Sequence, residues 1–215
     1  MPNWCTNHIV VTGPVEEIAR FTQTCIRPNE DEDYTRAPFS PSRFDFNRLI
    51  PMPAILEGTV AGSFVDDALL VLGRTELICT GLPSVDDIEA LKEKIVGLHS
   101  LEEQMKRYKV DDIEALKEKI GPEAFENARQ SIEAFEQTGA PNWYVWSNKN
   151  WGTKWNAADF EVIKEEPGRY ECEFNTAWAP PEPVYVKLAE MFPNLCFEIN
   201  GLDDQLNFDF LATNT

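Results

Sequence analysis

Apolar and polar residues alternate most regularly between residues 169 and 176. Tyr170, Cys172 and Phe174 fall on one side, and Glu171, Glu173 and Asn175 on the other. A period of two predicts a strand with one buried face. Shorter alternating runs recur at 195–199 (Leu195, Phe197, Ile199) and 205–211 (Leu206, Phe208, Phe210). The β-branched run over 7–12 ends at Gly13-Pro14, a turn signal, and Pro167-Gly168 is another. Helical spacing takes over elsewhere. Residues 15–24 place Ile18, Phe21 and Thr22 together, with Glu16 and Glu17 in the first turn, where acids favour a helix start. Residues 183–191 carry Val184, Tyr185, Leu188 and Met191 and stop at Phe192-Pro193. Residues 64–72 read as a short helix, 77–80 as a short strand, and 27–43 as a loop. Phe44, Phe46, Leu49 and Ile50 are apolar, and Pro51 and Pro53 end any regular element there.

Residues 84–138 keep helical spacing throughout. Val85, Ile88, Leu91 and Ile95 form one stripe, Leu101, Met105 and Tyr108 a second, and Phe125, Ala128, Ile132 and Phe135 a third. Gly97 suits a helix C-terminus, Ser100 with Glu103 has capping-box spacing, and Pro122 suits a first helical position. Gly139-Ala140-Pro141 closes the region. Inside it V-D-D-I-E-A-L-K-E-K-I occurs twice, at 85–95 and at 110–120. The offset of 25 residues is close to seven turns of about 3.6 residues, so both copies would face one way on a continuous helix. Read as a duplication within a peripheral insert, residues 96–120 are expected to be dispensable for folding.

Beyond residue 141, residues 143–146 read as a strand or extended lead-in. Residues 151–155 read as the start of a strand that continues over 159–164. On that strand Trp151, Thr153 and Trp155 would share one face, with Gly152 and Lys154 on the other, Lys154 toward carboxylates. The succession strand, helix, insert, strand, strand, helix, strand is the β-α-β-β-α-β order of a ferredoxin-like fold. The expectation is an α+β protein with an antiparallel sheet. Residues 1–83 hold the first half of the domain with an irregular segment, 84–140 a helical insert with the internal repeat, and 141–215 the second half.

Three strings lie outside this patterning: M-P-N-W-C-T-N at 1–7, F-D-F-N-R-L-I-P-M-P at 44–53 and N-W-G-T-K-W-N at 150–156. Together they resemble the YubB-like family of plasmid- and phage-carried proteins, which have a ferredoxin-like domain. The resemblance implies that fold, a mobile-element setting in a bacterial host and no settled activity. It also implies a binding cluster of Asn3, Trp4, Cys5, Asn7, Trp151, Gly152, Thr153, Lys154, Trp155 and Trp178. Packing offers these residues a second role, in which the tryptophans anchor the strand and the N-terminal segment closes against it.

Charge narrows the choice of partner. The net charge is −18, and residues 157–215 carry twelve acids against three bases. The exception is 139–156, with two lysines and no acid. Such a chain repels phosphate backbones, so direct nucleic-acid binding is not expected and a basic protein surface is the expected partner. The candidate acidic surface comprises Asp86, Asp87, Glu89, Asp111, Asp112, Glu114, Asp203 and Asp204. Five cysteines without C-x-x-C spacing predict reduced thiols, and with two histidines no metal or other cofactor is expected. No apolar run approaches bilayer length and no signal peptide is visible, so the expectation is a cytoplasmic protein without a membrane partner. Nothing in the sequence specifies an oligomeric state.

No phosphate-binding, nucleophile-elbow or zinc-protease motif occurs, which weighs against catalysis. Cys5 and His8, three residues apart, fall on opposite strand faces and make a poor dyad. The leading expectation is an acidic, non-enzymatic interaction protein of a phage or plasmid. It would bind a basic, nucleic-acid-handling host protein, as a counter-defence inhibitor does. One alternative is a small enzyme or ligand-binding domain built on the Trp/Asn/Lys cluster. Another is an RNA-binding module that stacks bases on Tyr170, Cys172 and Phe174. A pocket on which Lys154, Asn3 and Asn7 converge would favour the ligand-binding reading; a packed cluster beside an acidic face would favour the first.

Overall fold

The structure, a computed structural model, describes residues 3–28, 42–78, 100–202 and 207–212. In chain order the elements are β1 (Trp4–Thr12), α1 (Val15–Cys25), β2 (Ile26–Pro28), β3 (Ser42–Phe44), α2 (Ser63–Val71), α3 (Leu101–Tyr108), α4 (Ile113–Ile120), α5 (Pro122–Thr138), α6 (Trp143–Asn150), β4 (Ala158–Glu166), β5 (Arg169–Ala177), α7 (Glu182–Met191), β6 (Cys196–Leu202) and β7 (Asn207–Ala212). They form two compact units, Met1–Pro51 with Ser147–Thr215, and Met52–Trp146.

The first unit carries a five-stranded sheet in the order β4-β5-β1-β6-β7, every neighbour antiparallel. Two β-α-β halves, β1-α1-β4 and β5-α7-β6, interleave to give the ferredoxin-like α+β fold, with β7 added at one edge. β1 is central, and its Ile9 lies opposite Cys172 of β5 and Ile199 of β6. Period-two alternation sends Cys5, Asn7, Ile9 and Val11 to the buried face, with Tyr170, Cys172, Phe174, Phe197 and Ile199. The α1 residue Phe21 sits at the centre of that core. Its ring lies 5.8 Å from Tyr170, 5.9 Å from Phe197, 5.6 Å from Phe192 and 6.1 Å from Phe44. Edge-on aromatic pairs of this kind add about 0.5–1.5 kcal/mol each beyond their burial. Tyr170, Cys172 and Phe174 are thereby spent in the core, which removes them as a base-stacking row.

The second unit packs α2 against α5. Val65, Ala68 and Leu69 meet Ala124 and Ala128, with Leu77 beside them and Phe125, Ile132 and Phe135 partly buried around them. Three of the helix ends read from the sequence are present, while Gly97 lies outside the described residues. Ser100 Oγ accepts the Glu103 N–H at 3.2 Å, Pro122 opens α5, and Gly139 at φ 73° closes it. The unit takes in residues before 84 and runs past 140 to Trp146.

Three expectations change here. Leu77, where the strand expected over 77–80 would begin, closes the 3-10 turn Thr75–Leu77, because one apolar run of that length fits either; residues 79–80 lie outside the described residues. No single helix runs from residue 101 through the second repeat copy. α3 ends at Lys109, φ 56°, and Asp112 restarts the chain as the cap of α4, its Oδ1 accepting the Ala115 N–H at 2.8 Å. The first copy lies outside the described residues. Residues 100–120, the described part of the segment expected to be dispensable, are also not peripheral. Leu116 is buried, and α3 supplies the partners of the buried Asp67: the Arg107 guanidinium, the Gln104 amide and the Tyr108 hydroxyl, the last at 2.7 Å.

Candidate functional site

The W-G-T-K-W segment is not a strand. Where a lead-in strand was expected, α6 forms, capped by Asn142, whose Oδ1 accepts the Val145 N–H at 3.0 Å. Four consecutive large apolar side chains hide the helical period there, and Asn142 was the signal that could have shown it. Residues 151–156 then form a run of bends before β4 begins at Ala158.

The bends separate the residues that one strand face would have joined. Trp151 is 4% exposed, and its Nε1–H donates to the Ile50 carbonyl at 2.9 Å. Thr153 is buried against β5: its hydroxyl donates to the Ala177 carbonyl at 2.9 Å and accepts the Ala177 N–H at 3.1 Å. Gly152, φ 79°, lets the loop close on the segment leading into α7; a Cβ there would lie 2.9 Å from Pro183 Cδ and 3.3 Å from the Pro180 carbonyl oxygen. The Ser147 hydroxyl donates to the Lys154 carbonyl at 2.8 Å. A loop pinned at these points holds Trp155 outward, 38% exposed.

Trp155 has two exposed neighbours, Trp4 at 40% and Trp178 at 45%. The Trp4 and Trp155 ring centroids are 6.2 Å apart with planes at 39°; Trp155 and Trp178 are 6.4 Å apart at 28°. The Lys154 ammonium lies 4.4 Å from the Trp155 centroid and 5.1 Å from that of Trp178. Lys154 was expected across a strand, toward carboxylates; the bend turns it onto the indoles. Trp178 itself sits at φ 69°, a left-handed conformation that costs a bulky residue about 1–3 kcal/mol. Its N–H donates to the Asn3 carbonyl at 2.9 Å.

The three sequence strings therefore meet in one place. Asn156 Oδ1 accepts the Phe46 N–H at 2.9 Å and its Nδ2 donates to Asp45 Oδ1 at 2.7 Å, while Ile50 receives Trp151. Asp45, Asn156, Thr176 and Tyr185 are the supporting residues that sequence reasoning did not single out, although the F-D-F-N and N-W-G-T-K-W-N strings contained the first two. Asn7 does not converge on a pocket. It is buried, with Nδ2 within reach of the Cys5 and Phe174 carbonyls (2.9 and 3.2 Å) and of Thr176 Oγ1 (3.0 Å), and Oδ1 accepting from the Tyr185 hydroxyl. Of the expected cluster, Trp4, Lys154, Trp155 and Trp178 form the surface, while Cys5, Asn7, Trp151, Gly152 and Thr153 hold it from below. Asn3 contributes its main chain.

Trp4, Thr6 and His8 alternate onto the open face of the sheet. That face is acidic. His8 Nε2 lies 2.9 Å from Glu171 Oε1, and Arg169 Nη2 donates to Glu171 Oε2 at 2.8 Å. The Arg169 guanidinium first, and His8 second, hold the Glu171 carboxyl below its usual range. Glu161 stands directly opposite Glu173 in register, a like-charge pairing that costs stability. In the helical region Asp111, Asp112 and Glu114 are exposed; Asp112 is engaged as a cap, and Glu114 accepts from Lys117 at 2.8 Å. Asp86, Asp87, Glu89, Asp203 and Asp204 lie outside the described residues.

Burial pushes the Cys25 and Cys172 thiols well up, and Cys5 is fully buried. These sulfurs are poor nucleophiles for that reason. Cys5 and His8 lie on opposite faces of β1, as their spacing required. Among the described residues, no group of three or more His, Cys, Asp or Glu is placed to hold a metal ion, and no helix is long and apolar enough to cross a membrane.

Residues 150–209, which include the W-G-T-K-W loop and the second half of the fold, match the family model described as the ferredoxin-like domain in Api92-like protein. No curated protein matches the sequence. Among solved structures the chain is similar to a protein api92 from Yersinia pseudotuberculosis. The identity is 12%, the TM-score 0.44, and the match covers 100% of this chain and 95% of that one.

Proposed function

We propose that this chain is a non-enzymatic interaction module that docks a basic protein, anchored on Trp4, Trp155 and Trp178. The row of half-exposed indoles carries the reading. Exposed tryptophans set side by side by a pinned loop and a strained backbone do not arise from core packing. Tryptophan is also among the side chains most enriched where protein interfaces concentrate their binding energy. The net charge of −18 and the Glu161/Glu173 pairing favour a cationic partner over nucleic acid. The genetic setting that the YubB-like resemblance implies, a phage or plasmid, belongs to the same proposal. There the partner is a host protein whose basic groove holds nucleic acid, and the module acts as a counter-defence inhibitor.

The test compares proteins retained from host lysate by the wild type and by Trp155→Ala/Trp178→Ala, at low and high salt. The reading expects a basic protein held by the wild type, weakened by salt as exposed charges are screened over about 8–10 Å, and absent from the double variant. Equal retention by both proteins would overturn it.

A further inference from the structure

We propose that the partner lays a basic α-helix along β1, on the sheet face that α1 and α7 leave uncovered, with the indole row at one end. This deepens the reading above and rests on it. Both helices cover the other face: Phe21 of α1 packs on Tyr170 and Phe197, and the Tyr185 hydroxyl of α7 donates to Asn7. The uncovered face carries Trp4, Thr6, His8 and Thr12 along β1, with Glu173 beside them on β5 and Glu198 on β6. Thr6, His8 and Thr12 are half-buried and Val10 is 6% exposed, so the centre of this face offers polar groups and little apolar surface.

Charge complementarity decides what fits there. Glu171 is already engaged by Arg169 and His8. Glu161, Glu173 and Glu198 make no ion pair among the described residues. Glu173 stands opposite His8 on one side of β1 and faces Glu161 in turn, while Glu198 stands opposite Val10 on the other side. β1 therefore runs between two walls that each carry unpaired carboxylate, and bases placed there relieve the Glu161–Glu173 repulsion. The walls are two strand spacings apart, about 10 Å. A helix with its side chains is about 10–12 Å wide, so bases on its two flanks reach both walls. A single extended strand, about 5 Å wide, follows one wall only. β1 is nine residues long and spans about 27 Å, the length of about 18 helical residues. Such a helix adds a third layer to a two-layer fold. Its end rests on Trp4, Trp155 and Trp178. The ligand class is a helix of about five turns with Lys or Arg on both flanks and a large apolar side chain at one end.

The test uses the full chain and an alanine-based peptide of about 18 residues, with lysines on both flanks and leucines in its last turn. Controls are the same peptide with two central prolines, which break the helix, and a single-stranded oligothymidylate. Binding is read from the main-chain amide resonances of Thr6, His8 and Thr12 and from the Trp4 indole. The helical peptide is expected to move all four, and the controls to leave them unmoved. Glu173→Gln and Glu198→Gln should each weaken binding about two- to fivefold, the effect of losing one exposed ion pair. Glu16→Gln makes the same charge change on α1, on the covered side of the sheet, and should leave binding unchanged. Wild-type binding by Glu198→Gln would overturn the proposal, because an element lying across β1 meets both walls. Equal binding of the proline peptide would overturn the helix. Movement of the same resonances by oligothymidylate would overturn the charge argument and assign the face to base stacking. A helical peptide that moves none of them would sink this placement alone while a host protein is still retained through Trp155 and Trp178. Equal retention from lysate by the wild type and the double tryptophan variant would sink the reading beneath it.

Discussion

The main-chain N–H of Trp178 donates to the carbonyl of Asn3 at 2.9 Å, and this bond joins the end of β5 to the residue that precedes β1. It fixes Trp178 in a left-handed conformation and sets its indole beside Trp155, which in turn meets Trp4. Three chain segments far apart in sequence thus present one aromatic surface. The strain is sustained because Thr153, Gly152 and Asn7 fix everything beneath it.

Trp151 and Trp155 look alike in the sequence but should respond differently to truncation. Trp151 is buried against Phe46 at 5.9 Å with its N–H satisfied, so Trp151→Ala should destabilise by about 3–5 kcal/mol. Trp155 is half-exposed, so Trp155→Ala should cost about 1 kcal/mol or less. Urea denaturation of both variants measures this directly. Equal large losses would mean that Trp155 is part of the core.

Removing residues 96–120 leaves the first repeat copy joined to Gly121, the same sequence that removing 85–109 would leave. A repeat copy therefore remains beside α5, but α3 is lost. Asp67 then loses Arg107, Gln104 and Tyr108, and whatever part of it α2 and α5 still cover carries its charge unpaired. An uncompensated buried charge costs about 3–5 kcal/mol, so the deletion should lower the melting transition clearly. Adding Asp67→Asn should recover part of the loss. A deletion protein as stable as the wild type would show that Asp67 does not depend on α3.

Glu171 makes part of the stability depend on pH. Its carboxyl is held below the ordinary value by Arg169 and then His8, with Lys164 across the strand pair and Glu173 two residues along β5. A depressed folded value means that the contribution is complete above the unfolded carboxylate range, about pH 4–5, and is lost as the pH falls through the lowered value. Glu171→Gln should be less stable near pH 7 and should show a shallower acid limb. Denaturation curves at stepped pH decide; superimposed acid limbs would remove Glu171 from this role.

The fold was legible because its strands alternate and its helices are capped. Residues 169–176 gave β5, Gly13-Pro14 and Pro167-Gly168 marked turns, and Ser100, Pro122 and Gly139 bounded helices where they stand. The site was legible as residue types but not as geometry. Period-two logic put Trp151 and Trp155 on one face because nothing local announced that Gly152 takes a positive φ against Pro183. The continuous helix through the repeat failed for a related reason. Asp112 is a good cap, and cap chemistry outweighed helical phase. Asp67 gave no signal, since either acid of the Asp66-Asp67 pair in an apolar run reads as an exposed residue until the partners of Asp67, more than thirty residues away, come to it.

Trp178→Gly tests the central claim most directly, because it separates recognition from stability at one residue. Glycine accepts φ 69° without strain, and the side chain removed is 45% exposed. The unfolding free energy should stay within about 1 kcal/mol of the wild type, while retention of the basic partner is lost. A variant that unfolds more easily by about 3 kcal/mol or more, yet still retains its partner, would make Trp178 a structural anchor and contradict the account.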